Sequence, residues 1–167
     1  LLTRQAMDLL FDTCWDYNQR GLEKEFTTGN NDADGVYFLH WVRRRFPDKA
    51  AYVFLGQPLS FGQLLQQAQA LAGWLQAHGV GKGDRVLLFM QNCPQFVVAF
   101  YAVQRADAVV VPVNPMNRAD EFGHYITDPQ ARVVLTTADL AATVAEANQR
   151  LPEAQRLRQM LVTRFSD

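Results

Sequence analysis

The sequence has few of the residue types that form disulfide frameworks or metal sites. It contains only two cysteines, Cys14 and Cys93, and three isolated histidines, His40, His78 and His124. Two cysteines so far apart in the sequence form neither a disulfide framework nor a zinc knuckle. The histidines lack the close spacing at which metal ligands usually occur. The sequence therefore predicts two reduced thiols and no metal site.

An excess of positive charge and a long apolar run are also missing. Sixteen Lys and Arg residues balance seventeen Asp and Glu residues, for a net charge of −1, whereas nucleic-acid binders usually carry a clear positive surplus. No apolar run approaches the ~18 residues of a membrane span, and no secretory leader opens the chain. We therefore expect no nucleic-acid partner and no transmembrane segment. A cytoplasmic location is expected, with peripheral membrane association as an alternative. The first residue, Leu1, is not Met, which suggests a fragment.

Motifs of nucleophilic and phosphate chemistry are absent as well. The only serines, Ser60 and Ser166, do not lie in a Gly-x-Ser-x-Gly motif, which excludes the nucleophile elbow of an α/β-hydrolase. The glycine-rich stretch at residues 79–84 follows a predicted helix and precedes a predicted strand. A dinucleotide loop needs the reverse order, with the phosphate at a helix N-terminus. We interpret the stretch as a helix-to-strand turn and assign no catalytic, cofactor-binding or metal-binding residue.

Residues 1–35 are predicted to form an N-terminal helix followed by a mobile linker. Apolar side chains recur at helical spacing over residues 4–20, and residues 21–35 are rich in Gly, Asn, Asp and Thr. The opposite face of the helix carries Asp8, Asp12 and Asp16. Residues four apart share one helix face, so a solvated acidic face is favoured over a metal site.

Residues 36–167 are predicted to form one α/β subdomain. A helix over 36–46 ends in Arg43, Arg44 and Arg45, which complement a helix C-terminus; contact with phosphate or nucleic acid is the alternative. A β-hairpin follows over residues 51–59. Four apolar strands, at 85–90, 108–113, 132–135 and 160–163, then alternate with helices. This alternation is typical of parallel β-α-β units, and strands that are apolar on both faces indicate a sheet covered on both sides. The expected fold is a layered α/β sandwich with a mainly parallel sheet.

Helix ends are predicted from capping residues. Ser60 and Gln63 form a capping-box pattern, and Gly79 and Asp107 stand where a left-handed residue would end a helix. The next three helices are predicted to begin at Asn92, at Asn117, and at Thr137 or Asp139.

Five motifs occur in the order and spacing of the N-terminal part of AMP-forming acyl-CoA synthetases. The motifs are Phe46-Pro47-Asp48-Lys49, Leu59-Ser60-Phe61-Gly62-Gln63-Leu64, Gly79-Val80-Gly81-Lys82-Gly83-Asp84-Arg85-Val86, Asn92-Cys93-Pro94-Gln95 and Val111-Pro112-Val113-Asn114-Pro115. The sequence resembles this family over about residues 36–163. The stretch Pro115–Glu121, with His124-Tyr125 and Ala131-Arg132-Val133, is most similar to fatty-acid CoA ligases. Asp107 stands where the family usually has glycine.

The resemblance implies an ATP-dependent ligase that first forms an acyl-adenylate and then an acyl-CoA thioester. It implies Mg-ATP, coenzyme A and a fatty acid as the cofactors and substrates of the full-length enzyme, with none of them held by this fragment alone. The family's Pro-Lys-Gly phosphate loop, its acidic ATP-binding motifs and its C-terminal domain do not occur in these 167 residues. The fragment is therefore expected to be inactive and to pack against the remainder of its own chain, with a homodimer contact also open. A stand-alone, non-catalytic α/β binding or scaffold module is the alternative.

Overall fold

The computed structural model describes residues 39–165. The predicted N-terminal helix, the linker and Cys14 lie outside the described residues. Residues 39–45 are helical, in agreement with the helix predicted up to residue 46. The elements that follow are β1 (Ala50–Phe54), β2 (Gln57–Ser60), α1 (Phe61–Ala77), β3 (Arg85–Phe89), α2 (Pro94–Arg105), β4 (Val109–Val113), α3 (Ala119–Thr127), β5 (Val133–Thr137), α4 (Ala141–Arg150) and β6 (Gln159–Thr163).

Four strands form a parallel sheet in the order β4-β3-β5-β6, and β1 pairs with β2 in a separate antiparallel hairpin. At the centre, Leu87 of β3 lies opposite Val111 of β4 and Val134 of β5. The chain leaves β3 toward β4 on one side and then crosses over to β5 on the other. The predicted α/β fold with a parallel sheet is confirmed, and the change of direction makes β3 and β5 the switch point of the sheet.

Alternate residues of β3 belong to two different hydrophobic cores. Val86 and Leu88 pack with α1 and α2, whereas Leu87 and Phe89 pack with α3 and α4, and all four are fully buried. Because side chains alternate across a strand, helices must cover both faces of the sheet here. Burying such a side chain stabilises the fold by about 1.5–3 kcal/mol, so this central strand supports both layers.

A third hydrophobic core joins the helix at residues 39–45 to α1. Leu39 and Val42 are buried against Phe61, Leu64 and Leu65 of α1. This contact fixes the 39–45 helix beside α1 and places its C-terminal arginines at the surface.

Several helix ends follow the sequence prediction. The Ser60 side chain accepts a hydrogen bond from the Gln63 backbone N–H at 3.2 Å, and the Ser60 N–H donates to Gln63 Oε1 at 2.9 Å. Gly79 and Asp107 have φ values of +82° and +62°, so the two predicted left-handed positions are also confirmed.

The start of α2 was predicted one residue too early. Its N-cap is Cys93 rather than Asn92, with Pro94 as the first helical residue. Proline favours extended backbone in the residue before it, and Cys93 is extended, with φ of −136° and ψ of 169°. The proline therefore determines the cap.

The starts of α3 and α4 were also predicted too early. The N-cap of α3 is Arg118 rather than Asn117; Asn117 belongs to the preceding turn, in which its N–H donates to the Asn114 carbonyl at 3.1 Å. The N-cap of α4 is Leu140 rather than Thr137 or Asp139. Thr137 is the last residue of β5, and its carbonyl accepts from the Leu140 N–H in a turn that precedes the helix.

Replacing two glycines by alanine should change stability in opposite directions. Gly79 adopts φ of +82°, so Gly79→Ala should lower the free energy of unfolding by about 1–2 kcal/mol because a Cβ disfavours left-handed backbone. Gly73 lies exposed inside α1, and a Cβ there would meet nothing within 4 Å. Gly73→Ala should therefore raise the free energy of unfolding by about 1 kcal/mol through helix propensity. Urea unfolding of both variants checks this, and changes of the same sign would contradict it.

Candidate functional site

The carboxyl ends of β3 and β5 meet at the switch point of the sheet, the usual place for ligands in open α/β sheets. Asn92 and Cys93 follow β3, and Asp139 follows β5. The Tyr52 hydroxyl from the hairpin donates to the Asn92 carbonyl at 3.4 Å. The hairpin thus contacts one side of this end of the sheet.

A groove of about 230 Å³ lies beside β6, on the face that α1 and α2 cover. We call it the β6 groove. Its lining comes from α1, α2 and the strands, namely Gln67, Leu71, Met90, Gln95, Val98, Leu135, Leu161, Val162 and Thr163. Mostly apolar side chains and no charged side chain line the groove. It can hold an apolar group, and its lining includes no cysteine, serine or histidine.

Two buried polar atoms near the groove have no hydrogen-bond partner among the described residues, Gln95 Oε1 and Thr137 Oγ1. The other side-chain atom of Gln95, Nε2, donates to the Arg164 carbonyl at 3.0 Å. Thr137 is next to Leu135 on the same face of β5 because alternate strand residues share a face. Of these two residues, Gln95 lines the groove and Thr137 does not.

Cys93 is the one thiol within residues 39–165, and it is fully buried. Burial raises the pKa of the Cys93 thiol; backbone N–H groups of Phe96 and Gln95 oppose the shift, and the charge of Asp139 adds to it. A nucleophilic cysteine needs a lowered pKa and exposure. Cys93 is therefore a structural cap residue and not a reactive thiol.

The other sequence candidates are not brought together into a reactive cluster. His78 stacks on Trp74 at the end of α1, with ring centroids 3.7 Å apart, and His40 and His124 lie on other helices. No group of His, Cys, Asp or Glu within the described part of the chain could hold a metal ion. The absence of a metal site stays a prediction from the sequence.

The glycine-rich stretch forms the turn from α1 to β3, as predicted. Its Gly81 N–H donates to the Asp84 side chain at 2.8 Å, and its Gly83 N–H donates to the Asp107 carbonyl at 3.1 Å. These N–H groups are already used, and the C-terminal end of α1, which carries partial negative charge, points toward them. The turn does not fit a phosphate group.

The sequence matches the family described as AMP-binding enzyme over residues 39–167. The chain belongs to the AMP-binding enzyme family. Its curated relatives include the long-chain-fatty-acid–CoA ligase of Bacillus subtilis (strain 168), 42% identical over 92 residues. That match covers 55% of this chain and 16% of the ligase. The long-chain-fatty-acid–CoA ligase of Salmonella typhimurium (strain LT2) is 32% identical over 133 residues, covering 79% of this chain and 23% of the ligase.

A solved structure shows the same architecture. The N-terminal domain of FACL13 from Mycobacterium tuberculosis superposes with a TM-score of 0.70 at 27% identity, covering 77% of this chain and 33% of that domain. The resemblance to the N-terminal part of acyl-CoA synthetases is therefore confirmed. The chain spans less than a quarter of the two curated ligases.

Sequence reasoning missed the β6 groove. The available signal was the apolar run Met160-Leu161-Val162, which forms a strand with no covering helix predicted after it.

No helix among residues 39–165 is long and apolar enough to cross a membrane.

Proposed function

We propose that this chain is the N-terminal part of an ATP-dependent, AMP-forming fatty-acid CoA ligase. The observation that supports the proposal is the 32% identity to a long-chain-fatty-acid–CoA ligase over 79% of the chain. In this reaction a carboxylate displaces pyrophosphate from Mg-ATP to give an acyl-adenylate, and the thiol of coenzyme A then displaces AMP.

We assign residues 36–167 to the α/β subdomain and residues 1–35 to a separate N-terminal extension. The described residues do not fit the phosphates of ATP, because the one glycine-rich turn has its N–H groups paired and lies at a helix C-terminus. Mg-ATP and coenzyme A would therefore be held by other parts of the full-length enzyme. The proposed role of this subdomain is to form part of the wall of the acyl pocket. In this proposal the β6 groove faces the remainder of the full-length enzyme. Such a ligase would work in the cytoplasm.

The 167-residue chain alone should show no fatty-acid activation. Hydroxylamine traps an acyl-adenylate as a hydroxamate, so palmitate, ATP and hydroxylamine are incubated with the chain and, separately, with the protein encoded by the longer reading frame. We expect hydroxamate only from the longer protein. Turnover by the 167-residue chain, or a reading frame that stops at Asp167, would contradict the proposal. Micromolar binding of ATP or fatty acid to the short chain by calorimetry would favour a stand-alone binding module instead.

A further inference from the structure

The surface where the 39–45 helix meets the end of α2 carries a cluster of exposed arginines. Arg43, Arg44 and Arg45 lie in the last turn of the first helix, and Arg105 lies in the last turn of α2. The Arg105 guanidinium lies 3.1 Å from His40 Nε2. Because arginine only donates, Nε2 accepts and the histidine ring is neutral. We call these five residues the arginine patch.

No carboxylate of the described residues neutralises the arginine patch. Burial lowers the pKa of His40, and the charges of Arg105, Arg43 and Arg44 lower it further, with no carboxylate acting in the opposite direction. Both ion pairs found in the described part of the chain involve Arg150 of α4. The two helix C-termini carry roughly −0.5 each, which offsets about one of the four positive charges. The patch therefore suits a contact with a group that carries several negative charges.

The negative charge of this protein is concentrated upstream of the patch. Residues 1–38 contain three Lys or Arg and seven Asp or Glu, for a net charge of −4. Residues 39–167 contain thirteen Lys or Arg and ten Asp or Glu, for a net charge of +3. The overall charge of −1 thus conceals an acidic region followed by a basic subdomain, and opposite charges on one chain attract each other.

Asp8, Asp12 and Asp16 are the most regularly spaced carboxylates of the acidic region. The sequence predicts a helix through all three, in which residues four apart share one face. At a rise of 1.5 Å per residue, such a stripe is about 12 Å long. The 39–45 helix and α2 share a hydrophobic core, and packed helices lie about 8–10 Å apart. Stripe and patch therefore match in sign and in extent.

We propose that the acidic segment, residues 8–16, binds the arginine patch of its own chain. Residues 17–42 separate Asp16 from Arg43, and the sequence predicts a mobile linker within them. A flexible linker holds two sites at a local concentration of millimolar order, so even a weak contact is populated. Each exposed ion pair changes an equilibrium constant by roughly 1.5- to 5-fold, and three pairs change it by about tenfold. This contact is independent of the proposed ligase activity.

A nitroxide spin label on Cys14 tests the contact in the 167-residue chain. Cys14 lies between Asp12 and Asp16. Because Cys93 is fully buried, we expect the reagent to react at Cys14, and Cys14→Ser is the labelling control. Amide signals of a ¹⁵N-labelled sample are compared with the nitroxide oxidised and reduced. The Arg105 signal should lose at least about half of its intensity at about 50 mM salt and recover at about 500 mM, because salt screens exposed ion pairs.

Variants of the acidic segment separate the contact from simple tethering. Asp8→Asn/Asp12→Asn/Asp16→Asn should lose most of the broadening at Arg105, because three ion pairs change the equilibrium constant by about tenfold. Replacing the same three residues by Glu keeps the charge and should keep the broadening. A matched variant removes three other upstream carboxylates, Glu23→Gln, Glu25→Gln and Asp32→Asn, and should keep at least about half of the broadening.

Variants of the arginine patch provide the reciprocal test. Arg43→Gln/Arg44→Gln should also lose most of the broadening at Arg105. Arg118→Gln/Arg158→Gln removes two exposed cations elsewhere and should leave the broadening unchanged. Circular dichroism shows whether each variant is folded.

Three results would overturn the proposal. Equal broadening of Arg105 in the wild-type chain and the asparagine variant would mean that the tether alone brings the label near. Broadening in a mixture of ¹⁵N-labelled chain without nitroxide and unlabelled chain with nitroxide would identify a second copy as the partner. Binding of a labelled oligonucleotide without broadening at Arg105 would assign the patch to an external anion. The assay contains no ATP, palmitate or coenzyme A, so its failure is distinguishable from failure of the proposed ligase activity.

Discussion

Phe89→Ala should lower the free energy of unfolding by about 3–5 kcal/mol. Phe89 ends β3 and is fully buried against Phe122 of α3, with ring centroids 4.4 Å apart and the planes tilted by 46°. Removing the ring leaves a cavity between the sheet and the α3–α4 layer, and it also removes a favourable ring pair. For a chain of this size the thermal midpoint should fall by roughly 6–20 °C. Urea and thermal unfolding measure both quantities.

Phe165→Ala is the matched control for the loss of stability expected in Phe89→Ala. Phe165 is 47% exposed and stacks loosely on Phe54, with centroids 6.3 Å apart. The same chemical change should there cost less than about 1 kcal/mol. Phe122→Ala and the double variant complete a cycle in which the ring pair should contribute about 0.5–1.5 kcal/mol. Equal effects of Phe89→Ala and Phe165→Ala would mean that the α3–α4 layer is not packed as described.

Local sequence patterns were sufficient to predict that the fold is a layered α/β sandwich. Within the strand predicted at 85–90, the residues Val86–Met90 are all apolar, and only a sheet covered on both faces buries such a run. Ser60 with Gln63 and the left-handed positions Gly79 and Asp107 were also predictable, because each depends on one residue's own chemistry. The order β4-β3-β5-β6 was not predicted. Periodicity identifies the buried faces of a strand, but it does not identify the neighbouring strand.

Helix starts were predicted less well because several capping residues compete within a few positions. Asn92 and Asn117 are good N-caps in isolation. Pro94 determines that α2 begins after Cys93. Asn117 lies in a turn with Asn114, and α3 begins after that turn. Which candidate becomes the N-cap therefore depends on the backbone geometry around it, and the residue type alone does not determine that geometry.

The β6 groove could not be found by the same reasoning. Gln67, Gln95 and Leu161 come from three elements that are distant in sequence. The groove lies between the edge strand β6 and the side chains of α1 and α2. It follows from the strand order, which the sequence patterns did not determine. The unpaired Oε1 of Gln95, a lining residue, follows from side-chain packing and not from a sequence pattern.

Replacing two consecutive threonines of β5 by valine should have opposite effects on stability. The Thr136 hydroxyl is buried and donates to the Phe89 carbonyl at 2.8 Å. Thr136→Val should therefore lower the free energy of unfolding by about 1–3 kcal/mol. The Thr137 hydroxyl is equally buried and has no partner among the described residues. Thr137→Val removes an unsatisfied polar atom and should raise the free energy of unfolding by about 1–2 kcal/mol. Urea unfolding of the 167-residue chain measures both.

Each threonine variant is the control for the other, because the residue types, the strand and the burial are the same. Differences in β-propensity between threonine and valine therefore cancel in the comparison, and the remaining difference reports the hydrogen bond. Equal losses of stability would contradict the prediction and would mean that the Thr137 hydroxyl has a partner, such as a buried water. A gain at Thr137 with a loss at Thr136 would show that the short chain keeps a polar atom buried at a cost in stability.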